Sequence, residues 1–123
     1  MMSKQRLSLM NNKSRKAKGR LLQNLVKEKI QKLFPSLGKE DIRCSLVGEN
    51  GADIKLISLM ARKLIPYEVE VKNRQEYKTI YNHYKHAESH GNQEAILILK
   101  MNREKPLAVI DLDHFFELLS RAN

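Results

Sequence analysis

The spacing of apolar residues changes at Pro35, and this change limits the possible folds of the chain. Before Pro35 the apolar residues recur at helical spacing, which predicts one helix from about Ser14 to Leu33. The residues of this pattern are Leu21, Leu22, Leu25, Val26, Ile30, Leu33 and Phe34. After Pro35 the apolar segments are short and are separated by turn residues, as is typical of strands. The chain is therefore predicted to be α/β.

Seven further elements are predicted after the first helix. The predicted strands cover residues 42–47, 53–59, 67–72, 95–99 and 107–110, with residues 60–66 as a connection. A second helix is predicted over residues 75–90, and Asp111 or Asp113 is expected to cap a last short helix. The segment 95–99 is apolar on both faces, which predicts a strand covered on both sides. The predicted order is α-β-β-β-α-β-β-α.

The positive charge of the chain is concentrated near its start. Residues 1–20 contain seven basic residues and no acid, so they carry +7 of the net charge of +9. Residues 1–13 are polar and lack sustained periodicity, which predicts a flexible basic arm before a single domain over 14–123. A concentrated basic segment is typical of proteins that bind polyanions. A solvated tail without a partner explains the composition about equally well.

Two features bear on the cellular location. The longest apolar run is only Ala95–Leu99, so no membrane span is predicted, and no signal peptide is recognised. Cys44 is the single cysteine, which agrees with a reducing compartment, and it is interpreted as a small buried hydrophobic residue. A cytoplasmic location, in the host if the protein is viral, is therefore expected.

The segment Tyr67–Lys72 alternates strictly between apolar and charged residues. On a strand this alternation puts Glu68, Glu70 and Lys72 on one side. Two carboxylates and an ammonium group are unfavourable in a core, so this side is expected to face solvent or to form a site. An isolated E-x-K triplet favours the solvent-facing interpretation, because short motifs often match by chance.

Asp53 favours the second interpretation because it opens the preceding predicted strand. A hairpin of residues 53–59 with 67–72 would bring Asp53 beside Glu70 and Lys72. Two carboxylates supply the hard oxygen ligands that Mg²⁺ binds together with water and substrate phosphate. A lysine at such a site can orient a water molecule or stabilise the transition state of phosphodiester hydrolysis.

Asp53 followed by Glu70-Val71-Lys72, with a helix before and a helix after, resembles the PD-(D/E)XK nucleases. Within this superfamily the closer resemblance is to small Holliday junction resolvases of archaeal type and to related phage-encoded nucleases. In these proteins a basic helical segment similar to residues 16–26 precedes segments similar to 51–54 and 68–73. The resemblance covers residues 14–119 and implies a restriction-endonuclease-like αβββαβ core, a mixed central sheet flanked by helices.

The resemblance also implies residue roles. Asp53 and Glu70 would bind Mg²⁺ or Mn²⁺, with the carbonyl of Val71 as a further ligand, and Lys72 would be the catalytic lysine. The implied activity is a metal-dependent endodeoxyribonuclease.

The first helix departs from the resolvase pattern. Those proteins have a glutamate near the metal, where this chain has Gln23. An amide brings no negative charge, so a weaker affinity for metal is expected. Glu28 is the second candidate for this position, and Glu68 is interpreted as a surface residue.

The implied substrate is branched DNA such as a four-way junction, cut symmetrically by a homodimer. Basic and polar side chains near the first helix and the site are predicted to contact phosphates. These are Lys13, Arg15, Lys16, Lys18, Arg20, Lys55, Asn73 and Arg74.

Two other functions remain open. Gln23 in place of an acid fits a non-catalytic nucleic-acid-binding protein on the same fold. The same site also fits a nuclease for plain duplex or single-stranded DNA.

The second predicted helix carries two further groups of side chains. One side has three histidines that could bind zinc, although a solvated or DNA-facing strip is favoured: His83, His86 and His90. The tyrosines have the spacing of a core stripe, so packing is favoured over base stacking: Tyr77, Tyr81 and Tyr84.

Overall fold

The computed structural model describes the backbone of residues 4–123 and the side chains of residues 13–74 and 76–123. The described residues form four α-helices and two antiparallel two-stranded sheets, so the fold is mixed α/β. The elements are α1 (Lys4–Leu33), β1 (Ile42–Cys44), β2 (Ile54–Leu56), α2 (Leu59–Leu64), a 3₁₀ helix (Gln75–Tyr77), α3 (Lys78–Glu88), β3 (Leu97–Leu99), β4 (Leu107–Val109) and α4 (Leu112–Arg121). The chain divides into two compact units, one ending at Asn73 and the other comprising Arg74–Asn123.

Helix α1 ends at Leu33, as predicted, because Pro35 has no N–H with which to continue the helix. The helix begins at Lys4 rather than near Ser14, so it includes most of the segment predicted as an arm. Residues 1–3 of that segment lie outside the described residues. Val26 and Ile30 are buried and attach α1 to the core of the first unit.

Strands β1 and β2 form an antiparallel hairpin with Cys44 opposite Ile54. Ile42 and Ile54 are 2% and 1% exposed, so one face of this hairpin supplies the centre of the first core. Arg43 and Lys55 are directly opposite each other on the other face. Both strands lie within the predicted segments but are shorter than expected.

Two predictions for residues 60–72 are wrong. The sequence predicts a third strand over residues 67–72, but this segment has only an isolated antiparallel bridge between Ile54 and Val69. It also predicts a plain connection over residues 60–66, but these include most of α2. This helix forms because Ser58 Oγ accepts a hydrogen bond from the N–H of Ala61 at 3.0 Å. It is held in the core by Ala61 and by Ile65, which directly follows the helix.

The second unit follows the predicted element order. The 3₁₀ helix and α3 cover most of the predicted second helix, and β3 pairs with β4 in an antiparallel hairpin. Asp111 caps α4 by accepting a hydrogen bond from the N–H of His114 at 2.9 Å. The buried residues of α4 are Phe116 and Leu119. Strand β3 is predicted to be covered on both faces, but Ile98 is 61% exposed on one of them.

Candidate active site

Asp53, directly before β2, forms hydrogen bonds to the segment 67–72 through both its main chain and its side chain. The N–H of Asp53 donates to the carbonyl of Val69 at 2.8 Å, and the carbonyl of Asp53 accepts from the N–H of Ser45 at 2.8 Å. Its carboxylate oxygen Oδ2 accepts from the N–H of Val71 at 2.6 Å. A carboxylate held by a main-chain N–H has a fixed position. Asp53 therefore lies beside the residue that separates Glu70 from Lys72.

Glu70 and Lys72 form an ion pair on the exposed side of this segment. Lys72 Nζ lies 3.3 Å from Glu70 Oε1, and the side chains of Lys72 and Glu70 are 52% and 62% exposed, respectively. Glu68 is exposed too, whereas Val69 and Val71 are half-buried. Exposed and half-buried side chains thus alternate along residues 68–72 as they do in a strand, but the segment lacks the regular hydrogen bonds of a strand. An exposed pair of this kind contributes little to stability, so its two groups can exchange partners at low cost.

The oxygen atoms of Asp53, Glu70 and the Val71 carbonyl are of the kind that hard divalent cations bind. A carboxylate has about four acceptor positions, so the hydrogen bond from Val71 leaves Asp53 with capacity to bind an ion. Glu70 and the carbonyl of Val71 are oxygen donors of the type that Mg²⁺ and Mn²⁺ prefer. In the part of the chain that the structure describes, no three His, Cys, Asp or Glu residues are grouped so that they could hold a metal. The ligand set expected from the sequence contains only two such side chains, Asp53 and Glu70, and its third member is the main-chain carbonyl of Val71.

Helix α1 approaches β1 one residue away from Gln23. Asn24 Oδ1 accepts a weak hydrogen bond from Cys44 Sγ at 3.5 Å. Burial raises the pKa of the Cys44 thiol, and the charge of Lys27 partly opposes this shift. Cys44 is followed by Ser45, which binds the carbonyl of Asp53. A short series of contacts therefore leads from α1 through β1 to Asp53.

Gln23 itself is half-buried on α1. It precedes the buried Val26 and Ile30 by three and seven residues, which puts the three side chains on one side of the helix. Gln23 therefore faces the same direction as the core-facing residues of α1. Glu28, the second candidate for this position, is exposed.

The connection between β1 and β2 has a second charged pair, which the sequence analysis missed. Arg43 donates two hydrogen bonds of 2.8 Å to the two carboxylate oxygens of Glu49. Glu49 also accepts from the N–H of Leu46 at 2.8 Å. The hydrogen bonds from Arg43 and from Leu46 lower the pKa of Glu49 to about 2. The spacing of six residues between the two partners is not a recognised motif, so no local signal indicated the pair.

The residues predicted to contact phosphates differ in their surroundings. Five of them are exposed on α1: Lys13, Arg15, Lys16, Lys18 and Arg20. Lys55 is half-buried, and its ammonium group donates to the carbonyl of Asn50. Asn73 is exposed, and Arg74 is exposed with its guanidinium 4.0 Å from Glu76. Among the predicted phosphate contacts, those on α1 are the ones that share a single element.

The histidines and tyrosines of the second unit remain without an assigned role. The rings of His86 and His90 meet edge to face with centroids 4.8 Å apart. Tyr84 is half-buried, and burial raises the pKa of its phenol, whereas Tyr81 is exposed. The exposure of Tyr81 means that the three tyrosines do not form one uniform core stripe.

No protein-family model matches the chain, and neither a curated protein nor a solved structure matches it. Among the helices that the structure describes, none combines the length and the apolar character needed to cross a membrane.

Proposed function

We propose that this protein is a divalent-metal-dependent endodeoxyribonuclease of the PD-(D/E)XK type that acts on branched DNA. One observation carries the proposal: the 2.6 Å hydrogen bond from the N–H of Val71 to the carboxylate of Asp53. It holds one acid beside a segment that presents a second acid and a lysine. Two carboxylates and a lysine are the kinds of group that metal-dependent phosphodiester hydrolysis requires.

Each residue has a distinct role in this proposal. Asp53 and Glu70 would hold Mg²⁺ or Mn²⁺ together with the carbonyl of Val71. When bound, the ion supplies positive charge that polarises the phosphodiester and favours ionisation of a water molecule. Lys72, 3.3 Å from Glu70, would orient the attacking water or stabilise the negative charge that develops on the phosphate oxygens. The N–H of Val71 keeps the Asp53 carboxylate in place during this process.

The fold that accompanies this function is a restriction-endonuclease-like core. In that fold residues 67–72 would run beside the β1–β2 hairpin, to which they are joined here by an isolated bridge rather than by a third strand. The Ile54–Val69 bridge and the hydrogen bond from Asp53 N–H to Val69 support this assignment within the first unit. A homodimer would provide two sites for the two strands that a four-way junction presents.

The test compares Asp53→Asn and Lys72→Met with the wild type. The substrates are a four-way junction, a duplex and a single strand of the same sequence, in Mg²⁺, Mn²⁺ or EDTA. In Asp53→Asn the new amide oxygen can still accept from the N–H of Val71, so this variant removes the ligand charge while keeping the local hydrogen bond. We expect the cutting rate to fall at least about 100-fold in each variant. We expect no cutting in EDTA.

The matched controls are Glu40→Gln and Lys39→Met, which remove an exposed acid and an exposed base from the same unit. Both should cut the junction as fast as the wild type. Cutting by Asp53→Asn at the wild-type rate, or cutting that persists in EDTA, would disprove the proposed site. Equal rates on the three DNAs would leave a nuclease without selectivity for branches.

A second candidate is a nucleic-acid-binding protein without catalytic activity. It is favoured by Gln23, which supplies no charge, and by the pairing of Glu70 with Lys72, which offsets the charge of a ligand. Binding of DNA without cutting in any metal would support this candidate. Its affinity should depend on salt, because the exposed basic residues of α1 would release counterions from the DNA.

A further inference from the structure

The connection between β1 and β2 exposes two large apolar side chains at its tip. Leu46 is 69% exposed and Val47 is 95% exposed, and both precede Gly48, which has a φ of 79°. Turn positions are usually occupied by small or polar residues, because these satisfy the turn geometry and remain in contact with water. At 69% and 95% exposure, Leu46 and Val47 contribute little buried area to the hairpin. We call Leu46 and Val47 the apolar tip.

The main chain of the apolar tip is hydrogen-bonded to Glu49, which follows it in the sequence. Glu49 accepts from the N–H of Leu46 at 2.8 Å, and its own N–H donates to the carbonyl of Leu46 at 3.0 Å. Arg43 holds the same carboxylate with two hydrogen bonds. Further along the connection, Lys55 donates to the carbonyl of Asn50. Side chains presented on an already ordered turn lose less conformational entropy when they bind a partner.

The charges around the apolar tip are compatible with a polyanion. Glu49 is the only acid in the sequence between β1 and Asp53, and its charge is neutralised by Arg43. The low pKa of Glu49, about 2, reflects this pairing. The tip therefore presents apolar groups to a partner without an unpaired carboxylate among them.

The apolar tip is also close to the proposed site along the chain. Ser45, directly before Leu46, donates its N–H to the carbonyl of Asp53. The tip and Asp53 therefore belong to one closed loop of residues 45–53. Leu46 and Val47 precede Asp53 by only seven and six residues within this loop.

We infer that the apolar tip contacts the base faces that are exposed where DNA stacking is interrupted, and that this contact selects branched DNA. The inference rests on the proposed nuclease function. Proteins insert leucine, isoleucine and similar side chains at base steps, at the cost of unstacking them. At a branch point that cost is reduced, because the bases at the crossing are less constrained than those in a continuous duplex. Leu46 and Val47 would thus discriminate a junction from a duplex while Asp53, Glu70 and Lys72 act on the nearby phosphate.

The test uses the double variant Leu46→Ser/Val47→Ser. Its probes are a four-way junction with 2-aminopurine at the branch point and a linear duplex of the same sequence. We expect the ratio of junction to duplex cutting to fall about 10- to 100-fold, as expected when buried leucine and valine contacts are lost. Cutting of the duplex should change less than about twofold, because the bases of a continuous duplex stay stacked and offer the tip no exposed face. The 2-aminopurine signal that wild-type protein produces at the branch should be lost.

The matched control is Ile96→Ser/Ile98→Ser, which removes two exposed apolar side chains from the second unit. This control should retain the junction preference. If the Leu46/Val47 variant keeps the wild-type preference and the 2-aminopurine signal, the inference is overturned while the nuclease function stands. If light scattering shows that the variant instead loses self-association, a second copy of the chain occupies the tip and the inference is overturned. If wild-type protein neither binds nor cuts any of the DNAs, the proposed function is rejected and the inference with it.

Discussion

The two hairpins of this protein have strands of the same length and the same antiparallel pairing but differ in burial. In the β1–β2 hairpin, Ile42 and Ile54 are almost completely buried. In the β3–β4 hairpin, Leu97 and Leu99 are half-buried, and Ile98 on the opposite face is exposed. In both hairpins, strands of three residues are sufficient for pairing. Of the two hairpins, the first supplies fully buried side chains to a core.

The buried hairpin is also the one that carries the candidate site. Asp53 directly precedes Ile54, so the most buried strand residue is next to the acid. Burial of Ile54 holds the neighbouring backbone of Asp53 in place. From this position Asp53 forms one main-chain and one side-chain hydrogen bond to the segment 67–72. Rigid support of this kind is what a catalytic group requires. The comparison indicates that burial of the first hairpin serves positioning as well as stability.

The largest expected effect follows from the difference in burial. Ile54→Ala should destabilise the protein by about 2–5 kcal/mol, because it removes a fully buried side chain and leaves a cavity. Ile98→Ala removes a largely exposed side chain, and its effect should stay within about 0.5 kcal/mol. Urea denaturation followed by circular dichroism measures both. Similar losses in the two variants would mean that the two hairpins are equally buried in solution.

The sequence was sufficient to predict the elements whose apolar spacing is regular. The end of α1, the four strands that form and the cap at Asp111 follow from periodicity and from the proline and aspartate signals. Helix α2 was missed because six residues are too few to establish a helical period. Its signals were Ser58 at the cap and the spacing of four between Ala61 and Ile65.

The candidate site could be predicted only at the level of residue types. Alternation put Glu70 and Lys72 on one side, and the strand order put Asp53 in the preceding strand. The actual contact of Asp53 is with the N–H of Val71, a main-chain group that no side-chain pattern reveals. The segment 67–72 does not form a regular strand, because its bridge involves only Val69. Such details depend on how the backbone packs rather than on the order of residue types.

Removal of a helix cap should cause an intermediate loss of stability, and each unit has one cap that can be compared with the other. Ser58→Ala in the first unit should cost about 0.5–2 kcal/mol, because the N–H of Ala61 loses its acceptor. Asp111→Ala in the second unit should cost a similar amount through the N–H of His114. Ser58 also interacts with Asp41. The pKa of Asp41 is lowered mainly by the hydrogen bond from the N–H of Gly38 and to a smaller extent by the hydroxyl of Ser58.

Thermal denaturation of the two cap variants measures these costs, and NMR titration of Asp41 separates the two functions of Ser58. In Ser58→Ala the pKa of Asp41 should rise towards its ordinary value, while in Asp111→Ala it should be unchanged. A Ser58→Ala variant with wild-type stability would show that α2 does not depend on its cap.

The smallest expected effect concerns the Arg43–Glu49 pair, which holds the connection of the first hairpin. The hydrogen bonds from Arg43 and Leu46 lower the pKa of Glu49 from 4.5 to about 2. A carboxyl group with a lowered pKa in the folded state stabilises the protein above its ordinary pKa and loses this contribution as the pH falls through the folded value. Glu49 should therefore stabilise the fold above about pH 4.5, and this contribution should disappear between that pH and about 2.

Glu49→Gln tests this dependence, because the amide can still accept from Leu46 but does not carry the charge that binds Arg43. The melting temperature of the variant should be lower than that of the wild type at about pH 6. The difference should shrink below about pH 4.5 and vanish near pH 2. Glu40→Gln is the control, since it removes an exposed charge from the same unit without changing the Arg43 pair. A difference between Glu49→Gln and the wild type that stays the same from about pH 6 down to about pH 2 would show that the pair is not formed in solution.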